Sequence, residues 1–146
     1  IQFYLLGNYE NSMQDAVEKE YVEGFIRRGL VRRFSETGDV RPFYRMCSVY
    51  VLPSYREGTP RTVLEAMAMG RPIITTDTQG CRETVREGVN GFLVPARNSD
   101  SVAEKMIWFI EHPHQIAAMG AESRRYAEEK FDVNRINEEM LRIMQI

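Results

Sequence analysis

The chain has 146 residues, 43% of them hydrophobic and 27% charged, with a formal net charge of -2, which suffices for one well-buried domain and argues against two independent ones. Both signs are scattered and the arginine pairs Arg27-Arg28 and Arg32-Arg33 are short, so no basic stripe exists to neutralise a phosphate backbone and nucleic acid is not an expected partner. No apolar run approaches the roughly 20 residues of a membrane-spanning helix and no signal-peptide pattern opens the sequence, so a soluble chain is expected.

Ile1-Gln-Phe-Tyr-Leu-Leu-Gly7 reads as a buried strand already in progress, as in a piece cut from something longer. Met13, Val17, Tyr21 and Phe25 then recur at the four-residue spacing of a helical stripe, acidic early and basic late as the helix dipole prefers. A short strand is predicted around Val31 to Phe34, followed by a helical turn from Val40 to about Met46 that Asp39 caps and whose apolar side is Val40, Phe43 and Tyr44. Ser48 to Pro53 is the next apolar strand. A Gly-Thr-Pro turn leads from it into a helix ending at Met69, closed by Gly70, and Pro72 to Thr76 is a further strand. This alternation implies right-handed crossovers and a mostly parallel, Rossmann-like sheet with helices on both faces, an α/β fold.

A short helix near Cys81 to Glu87, a tight turn at Gly88 to Gly91 and a last strand at Phe92 to Val94 follow. The remainder reads as three helices. Ser99 or Asp100 caps the first, the second runs from about His114 to Lys130, and the third carries Val133, Ile136, Met140 and Ile143 on one face.

The stretch Pro53 to Asp77, PSYREGTPRTVLEAMAMGRPIITTD, carries the chemistry. Ligands of open parallel sheets bind beyond the carboxyl ends of the strands, where Tyr55 to Thr62 lies. Gly58 permits close approach of a ligand to the main chain, Thr59 is read as the N-cap and Pro60 as the first helical residue, its missing N–H costing nothing there. Free amides around Arg61 and Thr62, with the positive end of the helix dipole, make a seat for a phosphate or diphosphate. Glu65 sits about five residues into the helix, roughly 7.5 Å along its axis, and helical side chains lean back toward the N-terminus. A carboxylate has no favourable use against a phosphate, but as a pure acceptor it suits vicinal hydroxyls such as those of a ribose. Glu57, on the loop side of the seat, can accept from hydroxyls at the other end. Two solvated glutamates would be the bland alternative, but Val63, Leu64, Ala66, Met67, Ala68 and Met69 surround Glu65 with apolar or small neighbours.

This run, with GCRETVREGVNGFLV after it, closely resembles the C-terminal, nucleotide-sugar-binding domain of the retaining GT-B glycosyltransferases of family 4, also called glycosyl transferases group 1. The resemblance covers nearly the whole chain. It implies that residues 1–146 are a donor-binding domain, truncated at its N-terminal edge, from a protein whose N-terminal acceptor domain is absent here. It further implies that Glu57 is catalytic and binds hydroxyls of the donor sugar, that Glu65 binds the ribose, and that the segment Gly58, Thr59, Arg61, Thr62, Val63 and Leu64 holds the sugar and diphosphate. The implied donor is a nucleotide sugar, foremost a UDP-sugar, the acceptor a glycan or lipid-linked sugar, and the location cytoplasmic, with membrane association only through the missing part. No Asp-x-Asp motif is present, in keeping with the metal-free, cofactor-free habit of the fold.

Pro60 stands where many relatives have Gly, and Ser35 where the family usually has Gly near the base. Relatives also carry an Arg and a Lys on an earlier strand and helix, and this chain begins after both, so the fragment alone is expected to be inactive. The alternatives are a non-catalytic nucleotide-binding module and a GT-B epimerase acting on a UDP-sugar. Outside the motif, Arg61 is read as either a phosphate contact or a solvated side chain, Glu83 as pinning a helix start, His112 and His114 as surface residues of a helix junction, and Cys47 and Cys81 as structural thiols of a reducing compartment. The stripe on the last helix either docks on the missing domain or packs within this one.

Overall fold

A computed structural model describes residues 1–9 and 16–145, so Met13 of the predicted stripe lies outside the described residues. In chain order the elements are β1 (Phe3–Leu6), α1 (Lys19–Arg27), β2 (Val31–Phe34), α2 (Arg41–Met46), β3 (Tyr50–Leu52), α3 (Arg61–Ala68), β4 (Ile73–Thr76), α4 (Gln79–Arg82), β5 (Gly91–Val94), α5 (Ser99–Glu111), α6 (Pro113–Lys130) and α7 (Val133–Met144). They form two compact units, Ile1–Phe43 and Tyr44–Ile146.

In the first unit β1 and β2 pair in parallel, Phe3 opposite Val31 and Leu6 opposite Phe34. Asp39 accepts a hydrogen bond from the Arg41 amide at 3.1 Å, but α2 begins at Arg41, one residue later than expected, with the Val40 carbonyl accepting from the Phe43 amide at 3.0 Å. Arg33 lies over the Tyr9 ring and donates to the Gly7 carbonyl at 2.8 Å, which ties the end of β1 to β2. The predicted burial of β1 is not met. Phe3, Leu5 and Leu6 are all exposed, because among the described residues β2 alone is bonded to β1.

The second unit holds a parallel sheet in the order β3-β4-β5. β4 is its middle strand, and all four of its residues are buried. Successive strand residues face opposite ways, so helices cover both faces of this sheet, as the unbroken apolar run of a parallel strand requires. On one face Ile74 joins Phe92, Val94, Phe109 and Met119, with Trp108 edge-on to Phe92 at 4.8 Å. The apolar side of α3, Val63, Ala66 and Met67, is fully buried. The predicted helix near Cys81 to Glu87 is displaced: α4 spans only Gln79–Arg82, and the chain beyond it turns to follow the buried Asn90 side chain. α5 is capped by Asn98, whose side chain accepts from the Ser101 amide at 3.0 Å, rather than by Ser99 or Asp100.

α6 passes so close to the end of α3 that a Cβ on Gly120 would stand 2.3 Å from the Gly70 carbonyl oxygen. Helix propensity alone favours Ala over Gly in mid-helix by about 1 kcal/mol, whereas overpacking against rigid backbone costs about 1 to 3 kcal/mol. The contact wins, so Gly120→Ala is expected to lower stability by about 1 to 2 kcal/mol in urea titrations; a stabilised variant would refute the close approach. α7 shows the predicted stripe, capped by Asp132, but Val133, Ile136, Met140 and Ile143 are all exposed, so the stripe does not pack within the described chain.

Candidate functional site

The loop bearing Glu57 leaves the carboxyl end of β3, and two threonines of β4 hold its root. The Thr75 hydroxyl donates to the Leu52 carbonyl at 2.8 Å and that of Thr76 to the Ser54 carbonyl. At the loop's other end the boundary differs by one residue from expectation. Pro60 is the N-cap, with φ -71° and ψ 114°, and the helix begins at Arg61, so Thr59 is not the cap and no side chain caps α3. The physical reason is that proline's fixed φ also suits an extended capping residue, and its carbonyl becomes the first acceptor. It receives the amides of both Val63, at 3.0 Å, and Leu64, at 3.2 Å. Those two expected donor-binding amides are therefore engaged within the chain, and the Val63 side chain is core. The amides left at the helix start are those of Arg61 and Thr62, next to the exposed loop residues Gly58 and Thr59.

Glu65 lies one turn beyond these amides, half-buried among the apolar neighbours the sequence places around it. Its Oε2 accepts from the Tyr44 hydroxyl at 3.1 Å, and its Oε1 accepts from Arg61 Nε at 3.1 Å. Arg61 is 91% exposed along its side chain against 32% for Glu65, so this ion pair is well screened and worth little. Arg61 is thus a solvated side chain that reaches one turn along the helix to Glu65. Tyr44 is buried and packs edge-on against Tyr50 at 5.6 Å. Burial pushes the Tyr50 phenol above its ordinary range, a hydrogen bond with Thr62 offsets part of this, and the charges of Glu65, Cys47 and Glu57 raise it further. Glu57 itself is half-buried.

Two features of this region escape a reading of sequence alone. Tyr44 counts there only as apolar filler of α2, and nothing local reveals its carboxylate partner. Gly80, buried in α4, abuts the loop: a Cβ there would lie 1.7 Å from the Gly58 carbonyl oxygen and 2.6 Å from that of Glu57. By contrast a Cβ on Gly58 would meet nothing within 4 Å, so its outer side is open. A cavity of about 580 Å³ also opens at the strand ends, lined by Pro53, Tyr55, Thr76, Pro95, Arg97 and Met106 among others, and neither glutamate lines it.

The remaining candidates are structural. Glu83 ends α4 instead of starting a helix; its carbonyl accepts from Tyr126 at 3.1 Å, and its carboxylate pairs with Lys130, which holds it below the usual carboxylate range. His112 joins α5 to α6 and stacks on Trp108 at 4.5 Å, while His114 is exposed. Burial pushes the Cys47 thiol up, and Cys81 is fully buried; both are free. Ser35 is an exposed residue just after β2 in the first unit. Among the described residues no helix is long and apolar enough to cross a membrane.

Comparison with known proteins places this geometry in context. The chain is 33% identical over 87 residues to the N,N'-diacetylbacillosaminyl-diphospho-undecaprenol alpha-1,3-N-acetylgalactosaminyltransferase of Campylobacter jejuni, covering 60% of this chain and 23% of that protein. It is 35% identical over 98 residues to the capsular polysaccharide biosynthesis glycosyltransferase CapM of Staphylococcus aureus, covering 67% and 26%. The chain thus spans about a quarter of the length of these curated relatives. Its fold is similar to that of Anabaena HepE crystallised with UDP, with a TM-score of 0.87 and 27% identity over 97% of this chain and 40% of that one. A crystal structure of the same protein with UDP-glucose gives 0.84 and 28%, with the same coverage. The parallel α/β architecture matches GT-B glycosyltransferase structures. The model of the family described as glycosyl transferases group 1 matches residues 1–112, and the chain belongs to that family.

Proposed function

We propose that this chain is the donor-binding part of a retaining, family 4 glycosyltransferase that moves a hexose or N-acetylhexosamine from a UDP-sugar to a glycan or lipid-linked acceptor in the cytoplasm. One observation carries the reading: uncapped amides at the start of α3 stand one turn from a half-buried Glu65, with Glu57 on the loop that leads into the helix. Anion seat and hydroxyl acceptors then lie together, the combination a nucleotide sugar demands. The amides of Arg61 and Thr62 receive the diphosphate, Glu65 the ribose hydroxyls, and Glu57 the hydroxyls of the transferred sugar. Fixed amide dipoles gain most where negative charge grows on the departing diphosphate, so the same groups that bind also favour departure. The complexes of HepE with UDP and UDP-glucose support the choice of nucleotide, and the names of the two bacterial relatives the class of acceptor.

In the intact protein, Glu65→Ala is expected to weaken UDP-sugar binding by about 2 to 3 kcal/mol, the value of hydrogen bonds to a charged acceptor. Titration calorimetry reads this directly. Unaltered affinity would remove Glu65 from the site. Saturation-transfer NMR with UDP-, GDP- and ADP-sugars tests the nucleotide, and a flat response to all three would overturn the reading.

A further inference from the structure

We infer that Tyr44 is a positioning residue for ribose recognition, holding one oxygen of the Glu65 carboxylate so that the other is presented to the sugar's vicinal hydroxyls; this rests on the proposed donor-binding role of Glu65. The Tyr44 hydroxyl has one proton and two acceptors in reach, Glu65 Oε2 at 3.1 Å and the Thr62 carbonyl at 3.0 Å, both on α3. Tyr44 is 7% exposed and braced by Tyr50, which holds its hydroxyl toward α3. Burial beside the Tyr50 phenol and the Glu65 carboxylate also drives its ionisation far above the ordinary range, which keeps it a donor at any physiological pH.

The two carboxylate oxygens are therefore unlike. Oε2 faces a rigid, buried donor. Oε1 faces the Arg61 guanidinium, carried on a long side chain that is almost wholly exposed and held by a screened pair. A ribose can take the place of Arg61 at little cost, but not that of Tyr44. A carboxylate oxygen keeps a second lone pair while accepting one bond, so Oε2 can still receive a hydroxyl. What Tyr44 removes is rotation of the carboxylate, which would otherwise have to be frozen when the ligand binds.

The test compares UDP, GDP and ADP with their 2′,3′-dideoxy forms, by titration calorimetry on the intact protein and its Tyr44→Phe and Glu65→Gln variants, with thermal melts alongside. The unsubstituted protein is expected to prefer one ribonucleotide over its dideoxy form. Tyr44→Phe should shrink that preference about fivefold, the effect of losing one ordering hydrogen bond, with dideoxynucleotide affinity unchanged. A purely architectural tyrosine would lower both affinities together and leave their ratio intact, and that outcome overturns the inference, whatever the melts show. If Glu65→Gln abolishes the preference while Tyr44→Phe leaves it whole, the donor reading stands and this inference falls. If no ribonucleotide binds the unsubstituted protein, the donor reading fails and takes the inference with it.

Discussion

Gly80→Ala is expected to lower stability by about 3 kcal/mol and to cut catalytic efficiency about 100-fold in the intact protein, the scale of overpacking and of a 1 Å misplacement of binding groups. The added carbon would fall 1.7 Å from the Gly58 carbonyl oxygen and 2.2 Å from its carbon, and both are backbone atoms without a rotamer to change. Relief must come from moving either α4 or the loop. α4 is held by Cys81, fully buried, and by the contacts of Glu83 with α6, so the loop carrying Glu57 gives way. Thermal melts and steady-state kinetics check the two halves separately. The companion Gly58→Ala meets no neighbour and should leave the melt nearly unchanged while still impeding a ligand that approaches the main chain. Equal melts for both variants would refute the close approach.

Asn90→Ala should cost about 3 kcal/mol, because it strands the carbonyl of the buried Thr84 and removes the partner of the part-buried Arg86 amide. The side chain is fully buried; Oδ1 accepts from the Arg86 amide at 2.7 Å and Nδ2 donates to the Thr84 carbonyl at 3.1 Å. Its own carbonyl accepts from Ile73 N at 3.0 Å and from the Ser123 hydroxyl at 3.1 Å, so one residue joins the turn before β5 to both β4 and α6. A urea titration with an unchanged slope reads the loss; a change below about 1 kcal/mol would mean that the turn relaxes enough to satisfy both groups.

Much of this organisation is legible in the sequence. Strand and helix order follow from apolar runs punctuated by Gly and Pro, and the uncapped start of α3 and the half-buried place of Glu65 follow from the Gly-Thr-Pro turn and the apolar neighbours of Glu65. The rest depends on residues that meet only after folding. Thr59 satisfies the local rules for a cap and Pro60 those for a first helical residue, yet the extended ψ of 114° at Pro60 moves the boundary one residue on. Tyr44 lies on the apolar side of α2, and periodicity gives its face but not the carboxylate beyond it. Gly80 resembles any helix-end glycine until Gly58 is brought against it. The exposure of β1 depends on how many strands flank it, which no local pattern encodes.

The hydroxyls of Thr75 and Thr76 reach across from β4 to the carbonyls of Leu52 and Ser54. They act as moorings. If the proposed nucleotide site closes on its ligand, the loop has to pivot past Ser54 and stop at the rigid ring of Pro60, which confines the travel to the five positions 55–59. A short hinge between two anchors swings through a small arc and returns quickly, so capture at the proposed site would be a local flexing of the loop and not a rearrangement of the sheet.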